Sequence, residues 1–338
     1  MQHSTERSRP ETGADDSTPA FARLADLASS RVGGRAVTAS DDFFAPKSNL
    51  LKPDPPLFIP GKYTARGKWM DGWESRRRRS PGHDWCVVKL GMRGRVRGVD
   101  VDTSFFTGNF PSHCSIEAMD TARKAPWTAI LDQTSLGGDR HNYIAITDDR
   151  PWTHLRLNIF PDGGVARLRV YGEVVVEWAR VAPGTRAVDL AAVWHGGLVL
   201  GASDVHYGAP NNMLMPGRAK NMGDGWETRR RRGPGHDWAI VRLGAPGVLT
   251  KIEIDTNHFK GNYPDRASVE GCFASGASIE ALPPTAWLDV LRESKLQANR
   301  RHLFSKELRE RGPFSHVRLN IFPDGGVSRF RVHGTLAR

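Results

Sequence analysis

The chain has 338 residues, 39% of them apolar and 25% charged, with a formal net charge of +11. An internal repeat over that length fits two similar domains of roughly 150 residues, each large enough for its own core. No apolar run approaches the ~18 residues of a membrane helix, and the polar N-terminus lacks the apolar centre of a secretory signal. The three cysteines, Cys86, Cys114 and Cys272, are odd in number and unmatched between the halves. That speaks against a disulfide framework and fits a reducing cytoplasm. The positive charge admits nucleic acid, a membrane surface or an acidic small substrate as partner. Because the arginines cluster inside a motif, a local anion site is expected, with no nucleic acid and no membrane as partner.

Residues 1–17 are polar and charged and are expected to form a disordered tail. The first repeat is expected over 18–172, opened by a short helix that Thr18-Pro19 starts and Gly33-Gly34 ends, with Phe21, Leu24, Ala25 and Ala28 on one face. Gly33-Gly34-Arg35-Ala36-Val37 has its partner in Gly196-Gly197-Leu198-Val199-Leu200, where the second repeat, 196–338, begins. A proline-rich loop from Lys52 to Pro56, longer than its counterpart, precedes the most conspicuous segment of the chain. This segment, from Asp71 to Trp85, reads DGWESRRRRSPGHDW and returns as DGWETRRRRGPGHDW from Asp224 to Trp238. Beyond it, Cys86–Leu90 and Ala239–Leu243 read as strands, and Val99–Thr103 and Ile252–Thr256 alternate with period two. Each alternating run leads into a Phe-x-Gly-Asn-x-Pro turn at Phe106–Pro111 and Phe259–Pro264.

Ser115-Ile116-Glu117 and Ser268-Val269-Glu270 resume a strand, and Trp127 aligns with Trp287. The runs His154–Phe160 and His316–Phe322 are followed by Pro-Asp-Gly-Gly, which reads as a β-hairpin turn. In the first of these runs Leu155, Leu157 and Ile159 share one face, and Arg156, Asn158 and Phe160 the other. Residues 173–195 are the expected linker, with Val174–Trp178 extended between the domains. Many short strands separated by turns predict an all-β fold: two tandem antiparallel β-sandwich domains of jelly-roll type, made by an internal repeat.

In an extended chain Arg76 and Arg78 point to one side, and Arg77 and Arg79 to the other. One pair can clamp a carboxylate through a two-point fork while the other holds Glu74, Asp84 or a neighbouring subunit. A solvated basic face or an ion-pair network is the competing reading. Arg76, Arg77, Arg229 and Arg230 are the candidate substrate-binding arginines, joined by Asp84, Asp237, Asp102, Asp255, Asn109 and Asn262. His83 and His236, at the passage from loop to strand, are candidate proton carriers. Glu74 and Glu227 are the other catalytic candidates; beside so many arginines they are expected to stay ionised and to orient a ligand. Asp71, Glu74, His83 and Asp84 also offer oxygen and nitrogen to a hard divalent ion such as Mn²⁺, at a spacing that matches no metal motif. His154 and His316 are read as structural.

At these residues the chain resembles the allantoicase family. The resemblance rests on Gly-Trp-Glu-x-Arg-Arg with Asp-Trp following, Asp-Thr-x-x-Phe-x-Gly-Asn and Phe-Pro-Asp-Gly-Gly, each present twice, and on Ser-x-Glu-Ala in the first copy. It covers residues 32–335, and the second copy departs from it with Ser-Val-Glu-Gly at 268–271. The resemblance implies two galactose-binding-like jelly rolls and hydrolysis of allantoate to ureidoglycolate and urea in purine breakdown. A cytoplasmic homo-oligomer without a certain cofactor is expected. The competing classes are a non-catalytic sandwich that binds a small anion or carbohydrate, and a nucleic-acid binder suggested by charge alone.

Overall fold

The computed structural model describes residues 7–8, 18–124, 126–274 and 283–337; apart from residues 7–8, the expected N-terminal tail lies outside them. The chain divides into two compact units, Met1–Val175 and Val176–Arg338. Each is an antiparallel jelly roll organised on one long strand, Asp84–Asp102 in the first unit and Asp237–Asp255 in the second.

The long strand belongs to both layers of its sandwich. In the first unit its N-terminal half lies between Arg35–Ala39 and Pro151–Phe160. Pro151–Phe160 pairs onward with His113–Met119, which pairs with Thr128–Ser135. Its C-terminal half lies between Tyr143–Ala145 and Arg167–Val174. The period-two pattern explains the closure. Cys86, Val88, Ile116, Leu155 and Leu157 from one layer and Val99, Val101, Leu168 and Val170 from the other are all fully buried. The second unit repeats this arrangement, with Val241, Val269, Val317 and Leu319 packed in one core with Ile252, Ile254, Phe330 and Val332. The three cysteines are buried and free. Burial pushes the thiols of Cys86 and Cys114 up to about 12, so they stay protonated.

Three local expectations are corrected. The Pro-Asp-Gly-Gly segments are not hairpin turns. The strands on either side of Pro161–Gly164 do not pair with each other; both pair with the long strand, one with each half. The segment therefore crosses between layers, as it must for the Leu155-Leu157 face to oppose the Leu168-Val170 face. Gly163 has φ 139, and a Cβ there would meet the Asn109 carbonyl oxygen at 2.7 Å, so the crossover needs glycine at that point. In place of one N-terminal helix, two 3₁₀ turns, Ala20–Arg23 and Ser30–Val32, flank a short strand at Ala25–Asp26 that pairs with Tyr171-Gly172. Asp26 holds this turn by accepting from the Ala28 and Val170 backbone N–H groups. Finally, Val174–Trp178 does not run on as a strand: strand Arg167–Val174 stops there and Trp178–Val181 forms a helical turn.

Candidate active site

The duplicated arginine segment is held almost group by group. Arg167, 1% exposed, donates to the Asp71 carboxylate at 2.6 Å and to the Asp71 carbonyl at 2.7 Å; Arg329 does the same for Asp224 at 3.0 and 2.6 Å. The buried Trp73 and Trp226 donate through Nε1 to the carbonyls of Asp41 and Asp204. Arg76 binds the Asp41 carboxylate at 2.7 Å and Arg229 binds that of Asp204 at 2.9 Å. Arg78 reaches Oδ1 of the buried Asp84 at 2.9 Å and Arg231 reaches Oδ1 of Asp237, and Ser40 and Ser203 donate to the same oxygens, while Asp84 Oδ2 has no hydrogen-bond partner among the described residues. The alternation read from the sequence is present: Arg76 and Arg78 turn to carboxylates, and Arg77 and Arg79 are exposed. The ion-pair reading accounts for most of the motif. Loop backbone and a sheet edge must be satisfied without a ladder, and buried arginine–carboxylate pairs do this in both copies. Arg76, Arg229, Asp84 and Asp237 are thereby engaged within the protein.

The remaining candidates separate into different places. Asp102 and Asp255, each 1% exposed, accept from the backbone N–H two residues on and shape the turn that follows. Glu74 meets Asn109, whose Nδ2 donates to Oε1 at 2.6 Å; Glu227 meets Asn262 in the same way. The reason is local: Glu74 pairs with Gly164, and the Gly164 N–H binds the Asn109 carbonyl at 2.7 Å. Burial raises the Glu74 carboxyl above its ordinary range, against the lowering effects of Asn109 and Lys68. This corrects the expectation of a carboxylate depressed by neighbouring arginines. The four groups considered for a divalent ion are dispersed, with Asp71 on Arg167, Asp84 on Arg78, Glu74 on Asn109 and His83 on Phe160. Among the described residues no three His, Cys, Asp or Glu side chains gather as a metal site.

His83 and His236 lie elsewhere, over the outer face of the five-stranded layer. Their rings pack on Phe160 and Phe322, with centroids 4.6 Å apart in each unit. Strand register builds that face. Asn158 stands between Trp85 and Ser115, and Arg156 between Val87 and Glu117; Asn320 stands between Trp238 and Ser268, and Arg318 between Ile240 and Glu270. Directly opposed residues on one face are within reach of each other. Accordingly Arg156 Nε donates to Glu117 at 2.6 Å and Arg318 Nε to Glu270 at 2.7 Å. Asn158 Nδ2 donates to Glu117 and Ser115, both at 3.1 Å; Asn320 Nδ2 donates to Glu270 at 2.8 Å and to Ser268 at 3.2 Å. Trp127 and Trp287 cover the two guanidinium groups at 5.3 and 4.8 Å. Burial alone would raise the Glu117 carboxyl, but Arg156, Asn158 and the nearby His83 hold it below its ordinary range, so it is ionised at neutral pH.

In the second unit this face forms the floor of a cavity of about 770 Å³, lined by His236, Trp238, Glu270, Arg318, Asn320 and Phe322 and rimmed by Asp289, Arg292 and Glu293. His236 Nε2 lies 3.3 Å from Asn320 Oδ1. The cavity combines a proton carrier, a fixed carboxylate, an amide, guanidinium groups and aromatic walls. Sequence reasoning missed its floor residues except for the histidine. The available signal was that Ser, Glu, Arg and Asn recur in both copies at outward positions of alternating strands, where no core requires them.

The family model described as "Allantoicase repeat" matches residues 25–175 and again 188–337. Probable allantoicase 1 of Burkholderia mallei is 54% identical over 331 residues, covering 96% of this chain and 98% of that protein. A probable allantoicase of Pseudomonas paraeruginosa is 51% identical, covering 93% of this chain and 96% of its own. The crystal structure of allantoicase from Saccharomyces cerevisiae superposes with a TM-score of 0.77 at 36% identity, covering 92% of this chain and 93% of that one. Two repeat matches spanning both jelly rolls, with full-length relatives at this identity, place the chain in the allantoicase family.

Proposed function

We propose that this protein hydrolyses allantoate to ureidoglycolate and urea, in purine degradation, and that the reaction takes place in the His236 cleft of the second unit. The observation that carries the site is the joint placement of His236, Glu270, Arg318 and Asn320 on one sheet face under an open cavity. Allantoate carries one carboxylate and two ureido groups on a single carbon. Arg318 and Arg292 supply cations for the carboxylate. Glu270, the partner of Arg318, and the Asn320 amide match paired ureido N–H and carbonyl groups. Trp238 and Phe322 wall the cleft and lower its exposure to water.

The reaction needs an acid at the leaving nitrogen. His236 donates a proton to one ureido nitrogen while the other ureido nitrogen pushes its lone pair toward the central carbon. The C–N bond breaks, urea leaves, and a carbon–nitrogen double bond forms. Water then adds to that carbon and returns a proton to His236, which restores the starting state. The substrate cation formed in between lies beside the Glu270 carboxylate, which is present before the charge develops.

Purified protein is tested for urea release from allantoate, with and without chelator and added Mn²⁺. Turnover in wild type with a loss in Arg318→Lys supports the site. Binding of allantoate without turnover in every condition supports a non-catalytic sandwich instead. The proposal also includes a cytoplasmic location, supported by three free, buried cysteines, and a homo-oligomer, whose order analytical ultracentrifugation measures.

A further inference from the structure

The first unit contains a second built cavity, of about 380 Å³, on the side of Glu74 and Asn109. Its walls are Phe44, Phe105 and Met70, and its polar groups are Lys68, Glu74 and Asn109. Lys68 and Met70 come from the long loop that the second copy shortens; Met70 aligns with Gly223, and Phe105 with His258. The apolar side is fixed by packing, since Phe58 stacks on Phe105 with centroids 5.7 Å apart and Lys68 lies 4.6 Å over the Phe58 ring. The Glu74 carboxylate accepts from Asn109 through Oε1 at 2.6 Å, and both residues line the cavity. A half-buried carboxylate against aromatic walls is costly to leave without donors.

We propose that this cavity binds a small neutral ureide, at a site separate from the reacting cleft. The donor and acceptor inventory sets the ligand class. Glu74 accepts paired N–H groups, the Lys68 ammonium donates to a carbonyl, and phenyl and thioether surfaces take a flat, weakly polar body. A ureido group presents two N–H donors and one carbonyl in one plane. A bare cation would pair with Glu74 but be repelled by Lys68, and a bare anion would meet the reverse. The separateness of this site from the reacting cleft rests on the placement of turnover at His236.

The test uses full-length protein labelled with ¹³C at its methionine methyl groups, with the Met70 signal assigned through Met70→Leu. Methylurea is titrated into wild type, Glu74→Gln and Arg318→Lys. The expected result is a saturable shift of the Met70 methyl in wild type and in Arg318→Lys, weakened at least tenfold in Glu74→Gln. Urea is expected to shift the same signal, and N-carbamoylglycine, an anion at neutral pH, to do so only at higher concentration; a shift with N-carbamoylglycine at lower concentration than with urea overturns the proposal. A Met70 signal that does not move with any ureide, that moves equally in Glu74→Gln, or that responds to methylammonium at lower concentration than to methylurea overturns it. Loss of turnover in Arg318→Lys with the Met70 shift intact shows that the two sites are distinct.

Discussion

The outer sheet faces of the two units share a floor and differ at the rim. His83, Trp85, Ser115, Glu117, Arg156, Asn158 and Phe160 in the first unit are repeated residue for residue by His236, Trp238, Ser268, Glu270, Arg318, Asn320 and Phe322 in the second. The neighbouring strand does not repeat. By register Ala129 opposes Glu117 where Asp289 opposes Glu270, and the positions of Asp132 and Gln133 correspond to Arg292 and Glu293. The second rim thus carries Arg292 between two acids, 3.7 Å from the Asp289 carboxylate, where the first carries a single acid. The histidine–amide contact at 3.3 Å links His236 to Asn320, whereas Asn158 Oδ1 is buried without a hydrogen-bond partner among the described residues. Duplication preserves the hydrogen-bonded floor, which strand register fixes, while the solvent-facing rim is free to diverge and decides where a cation stands beside the histidine.

The sharpest way to break the comparison is to remove each histidine in turn. His236→Asn is expected to lower kcat about 10²–10⁴-fold with a smaller change in KM, because it removes general acid–base chemistry. His83→Asn is expected to change kcat by less than about threefold, the reference being the second-unit loss. Equal losses measured by urea release would mean that both faces work. Arg318→Lys keeps the charge and loses the fork, so kcat/KM is expected to fall about 100-fold, equivalent to ~2.7 kcal/mol. Arg156→Lys should leave kcat/KM near wild type.

The rim itself is tested by Arg292→Ala, expected to raise KM about tenfold with little change in kcat, as loss of uniform substrate binding. An unchanged KM would remove Arg292 from carboxylate recognition. The smallest effects should fall on the part that the two units share. The Asp41 and Asp204 carboxyls are held below their ordinary range: burial acts to raise them, and backbone N–H groups with Arg76 and Arg229 outweigh it. Their folded-state values are depressed, so their contribution is fully present above the unfolded carboxylate value of about 4 and is lost as pH falls through the lower folded-state values. The arginine of each pair is exposed, so Asp41→Asn and Asp204→Asn should each cost about 0.5–1 kcal/mol at pH 7, a cost that shrinks as pH falls through the depressed folded-state values, read by denaturant unfolding. A markedly unequal pair of losses would show that the arginine segments are not equivalent clamps.

Period-two alternation, turn residues and self-similarity by themselves specify two antiparallel sandwiches and place Leu155, Leu157 and Ile159 on a core face. They also separated Arg76 and Arg78 from Arg77 and Arg79. Those features are local, because side-chain direction along a strand depends only on the backbone period. Partnership across strands is not local. Whether Arg76 serves a ligand or Asp41 depends on a carboxylate 35 positions away in the chain. The crossover at Pro161–Gly164, read as a hairpin, depends on which half of the long strand each neighbour joins. Glu74 and His83 are close in sequence yet serve different surfaces, one beside Asn109 and the other over Phe160. Glu117, Arg156 and Asn158 are distant in sequence yet form one hydrogen-bonded group because register aligns their strands. Tertiary structure alone decided the candidate site, since a site is a set of side chains brought within hydrogen-bond distance, and only the folded pairing of strands determines that distance.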